Sequence, residues 1–293
     1  MSGIEEKEFR FAGADGHPVA AWRWSKPVRA RAVLQVAHGM GEHARRYKQP
    51  LEPLMDAGVV VYANDHRGHG LTAPSKEALG TFGAGGFTAL VDDMARLTAR
   101  ARSESPGLPL ILLGHSMGSF ASQLYVLDHS AAIDGLVISG SAALDQLAAA
   151  LPADPDAPAL ESFNGAFQPE RTPFDWLSRD EREVDAYIAD PLCGFSAAPA
   201  SMQSMMESLA RTFAPADLAQ IRKGLPVYFF SGDKDPVGGP DLAFLRPLVE
   251  RYRALGLDAT SDFYKDGRHE MLNETNRAEV VRNLGRWIEK VIA

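Results

Sequence analysis

The sequence has 293 residues, 45% hydrophobic and 23% charged, with 30 basic and 38 acidic side chains and a formal net charge of −8. That balance is globular and excludes a disordered chain, and without a basic excess it argues against a nucleic-acid partner. A single cysteine, Cys193, excludes an internal disulfide framework.

Residues 1–10 are charged and lack the apolar stretch of a secretory signal. No apolar run approaches the roughly 18–20 residues that a membrane helix needs, so the expectation is a soluble cytoplasmic protein without a membrane span. Short apolar runs at 32–37, 58–63, 108–113, 136–139 and 226–231 alternate with helical patterns. The alternation predicts an α/β fold with a mostly parallel central sheet and helices on both faces. Ligands in such sheets bind beyond the carboxyl ends of the strands, where polar residues follow each run.

After the first run comes His38-Gly39-Met40-Gly41-Glu42-His43. Its glycines let the loop turn back and place the Met40 N–H to meet a developing oxyanion. A metal site on His38 and His43 is set aside, because no acidic or cysteine partner follows at the usual ligand spacing. The second run ends in Asp65, His66, Arg67 and His69, read as a hydrogen-bonded brace for the preceding loop.

The third run leads into Gly114-His115-Ser116-Met117-Gly118 and then a helical pattern through Ala121, Leu124 and Tyr125. A strand, Gly-x-Ser-x-Gly and a helix make a nucleophile elbow, with Ser116 as the nucleophile and the Met117 N–H as the second oxyanion donor. His115 is expected to pack beside the sheet.

The rhythm breaks over 141–215, a proline-rich stretch with Pro152, Pro155 and Pro158 at its start. It reads as a helical cap or lid on a core formed by 1–140 and 216–293. Ser178 and Glu181 read as a capping box opening a helix that stops before Pro191. Met202, Met205, Met206, Leu209 and Phe213 form an apolar stripe that suits either cap core or an adaptable acyl-chain pocket. Cys193 reads as a buried small hydrophobe.

Serine needs a base, itself oriented by a carboxylate, and in α/β-hydrolases the order is serine, acid, histidine. His269, in Gly267-Arg268-His269-Glu270 after the strand-like 260–265, is the only histidine downstream of His129. Two aspartates, Asp233 and Asp235, follow the 226–231 run. Asp235 is favoured, since Pro236-Val237 would turn its carboxylate inward, whereas Asp233 is placed to satisfy backbone N–H groups of the turn.

These segments, with Asn64-Asp65-His66-Arg67-Gly68-His69-Gly70 and Asp190-Pro191-Leu192-Cys193-Gly194-Phe195, resemble the monoglyceride lipase and lysophospholipase branch of the α/β-hydrolases over about 9–292. The resemblance implies an α/β-hydrolase core, Met40 and Met117 as oxyanion donors, and serine catalysis on small acyl esters such as monoacylglycerols. It implies no cofactor. The expected partner is a small ester or lipid, with transient contact between cap and lipid surface. An aminopeptidase or amidase would use the same triad, with Asp180, Glu181, Glu183 or Asp185 binding a substrate amine. A non-catalytic, ligand-binding hydrolase fold is the third reading.

Overall fold

A computed structural model describes residues 3–150 and 160–293. Pro152, Pro155 and Pro158, singled out above, lie outside the described residues. Eight strands form one sheet: β1 (Glu5–Ala12), β2 (Pro18–Ser25), β3 (Ala32–Ala37), β4 (Val59–Asn64), β5 (Leu110–His115), β6 (Gly135–Ser139), β7 (Pro226–Gly232) and β8 (Asp258–Tyr264). Their spatial order is β1-β2-β4-β3-β5-β6-β7-β8. β1 and β2 pair antiparallel, β2 joins β4 antiparallel, and every later pairing is parallel. This is the α/β-hydrolase architecture expected from the sequence.

The interior strands are buried end to end because both of their faces are covered. Side chains alternate between two separate cores with the period of the pleat. Leu110, Leu112, Leu136, Ile138, Val227 and Phe229 enter one core, while Ile111, Leu113, Val137, Tyr228 and Phe230 enter the other. The first core is closed by α2 (Gly86–Glu104), α3 (Met117–His129) and α8 (Leu245–Ala254). The second is closed by α1 (Glu52–Asp56), α9 (Arg277–Ile292) and the Trp22–Trp24 pair.

One polar thread crosses the first core. Gln35 donates to Met94 O at 2.9 Å and accepts from Thr98 Oγ1 at 2.7 Å, and Tyr125 Oη donates to Thr98 Oγ1 at 3.0 Å. It ties β3, α2 and α3 without leaving the buried amide unpaired.

Two details differ from the sequence expectations. β5 lies two residues later than the 108–113 run, so Gly114 and His115 still pair with β6 and the elbow begins at Ser116. β1 and β2 were not predicted: β1 is an edge strand whose alternation is hidden under Glu5, Glu6, Lys7 and Glu8, charges that blunt an exposed edge.

Between β6 and β7 the chain forms α4 (Leu144–Ala150), α5 (Glu181–Ala189), α6 (Pro199–Leu209) and α7 (Pro215–Leu218). α5 ends before Pro191, but its N-cap is Asp180, whose carboxylate accepts from Arg182 N at 3.2 Å. Ser178 instead donates to Asn273 O at 2.9 Å, tying this segment to the chain after β8. No described helix is long and apolar enough to cross a membrane.

Arg67 shows how tightly the loops are held. Its guanidinium meets Asp93 at 2.7 Å, with both side chains only 2% exposed. Arg67→Met would strand a buried carboxylate and is expected to lower stability by about 3–5 kcal/mol, read from the urea unfolding midpoint.

Candidate active site

At the carboxyl end of β5 the chain turns into α3 through Ser116 alone. Ser116 has φ 53° and ψ −125°, a conformation that non-glycine residues seldom adopt and that is held here by its surroundings. Its N–H donates to Ser139 O at 3.0 Å, while its carbonyl accepts from Ser119 N at 2.8 Å and Phe120 N at 3.1 Å. Gly118 lies so close to the backbone carbonyls of Ala37 and His38 that any Cβ there would collide with them. The elbow and the loop after β3 are thereby pressed together.

That loop is shaped from beneath. Glu42 accepts from Gly39 N at 2.6 Å, Tyr47 Oη at 2.7 Å and Arg46 Nη1 at 2.7 Å. Arg46 then forks onto Glu270 at 2.5 and 2.7 Å. Neither Met40 N nor Met117 N donates to a protein acceptor among the described residues. Met117 opens α3, where free N–H groups and the helix dipole favour negative charge.

The brace expected from 65–69 is present. Asp65 accepts from Ala44 N at 2.9 Å and Leu71 N at 2.6 Å, and burial pushes its pKa up to about 6. His66 N donates to His38 Nε2 at 2.9 Å, so the His38 proton sits on Nδ1 and points to Gly39 O at 2.7 Å. Burial holds both imidazoles well below the usual histidine pKa, which keeps them neutral.

The loops after β7 and β8 bring Asp235 and His269 together. His269 Nδ1 lies 2.8 Å from Asp235 Oδ1, with both side chains buried. Asp235 also accepts from Val237 N at 3.0 Å and Ser231 Oγ at 3.0 Å. Burial alone would raise the Asp235 pKa, but the His269 charge and these hydrogen bonds hold it below the usual value. Burial alone would likewise lower His269; Asp235, then Glu270 and Glu42, carry it above the ordinary value. Asp233 is occupied elsewhere, its Oδ1 accepting from Asp266 N at 2.8 Å to close the turn.

The His269 ring packs between His115, 4.6 Å away, and Trp176, 4.8 Å away. The His269 backbone N–H donates to Trp176 O at 3.3 Å, so the β6–β7 connection helps hold this residue in place. His115 is buried as expected, and burial lowers its pKa to about 4. Glu42, Arg46, Tyr47, Trp176 and Glu270 were not singled out from the sequence; Glu42 and Glu270 stand inside quoted motifs, but Arg46 reaches across 224 positions to Glu270 and no local pattern marks that bridge.

A cavity of about 90 Å³ opens at Ser116, lined by Met40, Phe120, Leu147, Met202, Met205 and Val237 among others. Ser116 is its only polar side chain among the described residues. Of the apolar stripe, Met202, Met205, Met206 and Leu209 line this cavity, Met205 and Leu209 are also buried, and Phe213 is exposed.

The site has little slack around its histidines. Gly140 has φ 57°, and a Cβ there would lie 2.7 Å from His269 Cε1 and 2.8 Å from His115 Cε1. Gly140→Ala is therefore expected to lower stability by about 1–3 kcal/mol in chemical denaturation and to displace the His269 ring.

Residues 28–276 match the model of the family described as serine aminopeptidase, S33. The chain is 32% identical to a monoacylglycerol lipase of Mycolicibacterium smegmatis, covering 98% of this chain and 99% of that one. It is 27% identical to a monoglyceride lipase of Mus musculus, covering 96% and 89%. A thermostable carboxyl esterase from Bacillus coagulans, solved with glycerol, superposes with a TM-score of 0.87 at 27% identity, covering 98% and 99%. The chain belongs to the serine aminopeptidase S33 family of α/β-hydrolases, on its monoglyceride lipase branch.

Proposed function

We propose that the chain hydrolyses carboxylic esters of the monoacylglycerol or lysophospholipid type through an acyl-enzyme on Ser116. The observation that carries this reading is the cavity: an apolar slot whose one polar side chain among the described residues is a serine on a strained elbow. Ser116 Oγ attacks the acyl carbonyl while His269 Nε2 accepts its proton. Asp235 holds Nδ1–H and stabilises the imidazolium; the Met40 and Met117 N–H groups receive the oxyanion. His269 then protonates the leaving alcohol, and water repeats the sequence on the acyl group.

In this reading 141–215 is the cap over a core of 1–140 and 216–293. Its exposed Met206 and Phe213 touch the lipid surface transiently, and the enzyme works in the cytoplasm. The aminopeptidase alternative needs a free carboxylate at the cavity. Asp180 pairs with Arg277 and Asp185 with Arg171, Glu183 lies 3.7 Å from Arg277, and none of the four cap acids lines the slot.

Hydrolysis of p-nitrophenyl esters from acetyl to palmitoyl is expected to rise at medium or long chains and to vanish in Ser116→Ala. Asp235→Asn should lose roughly ten-thousandfold in kcat while staying folded, and Asp233→Asn should keep near-wild-type turnover. Activity confined to the shortest esters would reject the lipid part.

The raised His269 pKa sets the acid limb of kcat/KM. Neutral imidazole is the active form, so activity rises with pH through a midpoint above the ordinary value of about 6.5. Glu270→Gln removes a negative charge that favours the imidazolium, so the midpoint should move to lower pH. A midpoint unchanged by that substitution would remove Glu270 from the electrostatics of the site.

A further inference from the structure

One set of polar groups beside the oxyanion loop takes no part in the ester chemistry. His43 ends that loop, while Asp190 and Cys193 follow α5 in the β6–β7 connection. His43 Nε2 lies 2.9 Å from Asp190 Oδ2. The potential ligand atoms of His43, Asp190 and Cys193 all fall within 4.8 Å of one another. Read along the chain, His43 has no acidic or cysteine partner at ligand spacing; folding supplies both.

The three are also oriented. Asp190 Oδ1 accepts from Leu192 N at 2.9 Å, which leaves Oδ2 turned to His43. Cys193 N donates to Asp190 O at 3.0 Å, closing the turn that returns the thiol to the carboxylate. Such outer hydrogen bonds are what fix ligands in a metal site. Asp190 also lines a solvent-accessible groove of about 570 Å³, which provides an entry path.

Charge favours a cation here. The groups acting on Cys193 are the Asp190, Glu42 and Glu270 carboxylates against one guanidinium, Arg46. That guanidinium is already held by Glu42 and Glu270. Burial pushes the thiol pKa up, so the metal-free cysteine is protonated and an incoming cation must displace its proton.

We propose that His43, Asp190 and Cys193 form a three-ligand site for a borderline-soft divalent cation, Zn²⁺ fitting best, with water in the fourth position. One nitrogen, one carboxylate oxygen and one thiolate suit zinc and not calcium or magnesium. Tetrahedral bonds of about 2.0–2.3 Å set ligand atoms roughly 3.3–3.8 Å apart, so the His43–Asp190 contact opens slightly and Cys193 closes by up to about 1 Å. Binding forms an S–metal bond and releases the thiol proton to solvent. The bound cation cross-links the oxyanion loop to the β6–β7 connection, alongside the 2.9 Å Gly194 N to Gly41 O hydrogen bond. The site stands apart from the catalytic assignment, since its test reads metal binding and not turnover.

The test is titration of the chelator-treated full chain with Co²⁺ alone, followed by Zn²⁺ competition. Expected are one Co²⁺ per chain, a thiolate-to-cobalt charge-transfer band in the near ultraviolet, and loss of that band when Zn²⁺ displaces Co²⁺. Cys193→Ser should abolish the band and weaken Zn²⁺ at least roughly tenfold, and His43→Gln should weaken it by a similar factor. Absence of the band in the wild-type chain at saturating Co²⁺ overturns the proposal without recourse to any variant. Unchanged Zn²⁺ affinity in Cys193→Ser also overturns it.

Discussion

Arg46, held between two buried carboxylates, sets the spacing on which the rest of the site depends. Glu42 belongs to the loop after β3, and Glu270 is the neighbour of His269 in the loop after β8. A single guanidinium bridges them, 2.7 Å from Glu42 and 2.5 and 2.7 Å from the two oxygens of Glu270. Buried charges are tolerated only when their remaining hydrogen-bonding capacity is filled. Here Gly39 N and Tyr47 Oη complete Glu42, and Asn273 Nδ2 completes Glu270. The planar fork is what makes the bridge rigid; a lysine would supply the charge without the bidentate geometry. The same carboxylates help to raise the His269 pKa, so one network acts on both the position of the loops and the proton affinity of His269.

Above this polar floor the walls are apolar, and helix periodicity separates the two jobs of α6. Ser201 and Ser204 accept backbone N–H groups of Phe82 and Phe87 at 2.9 and 3.0 Å, and Ser208 meets Thr88 at 3.2 Å. Positions 201, 204 and 208 share one face of a 3.6-residue helix. Met202, Met205, Met206 and Leu209 follow on the adjoining face and line the cavity. The cavity wall is thus fastened to the core by its polar stripe, and its flexible thioethers can adapt to chain shape without moving the helix.

How much of this was legible in the sequence depends on the range of the interaction. The buried parallel strands announce themselves as short apolar runs, because burial on both faces leaves no room for polar residues. Gly-x-Ser-x-Gly is legible because the tight turn restricts residue size locally at Gly114, where a Cβ would meet Gly118 O and Ser122 Oγ, although the limit at Gly118 comes from the distant Ala37 and His38. Asp235 and Asp233 are separable through Pro236-Val237, a local turn effect, and the structure gives His269 to the former and the Asp266 turn to the latter. β1 was hidden by its own edge charges, and α5 took Asp180 as its cap because Ser178 found a stronger use in holding Asn273 O. The Glu42–Arg46–Glu270 bridge and the His43, Asp190 and Cys193 cluster join residues distant in sequence, and nothing in local spacing encodes such a meeting.

The proposed triad would not by itself choose between ester and amide, since one histidine can protonate either leaving group. The choice lies in what surrounds the serine. An amine-bearing substrate would need a desolvated, unpaired carboxylate at the slot, and such a group is expensive to keep without a partner. Asp180, Glu183 and Asp185 of the β6–β7 connection are instead tied to Arg277 or Arg171, and none of them lines the slot. Apart from Ser116, the described walls of the slot are apolar, and such walls reward burial of an acyl chain in proportion to its length, at about 0.8 kcal/mol per methylene. Within a family described by its peptidases, the proposed preference for lipid esters rests on these described apolar lining residues and not on a different set of proposed catalytic groups.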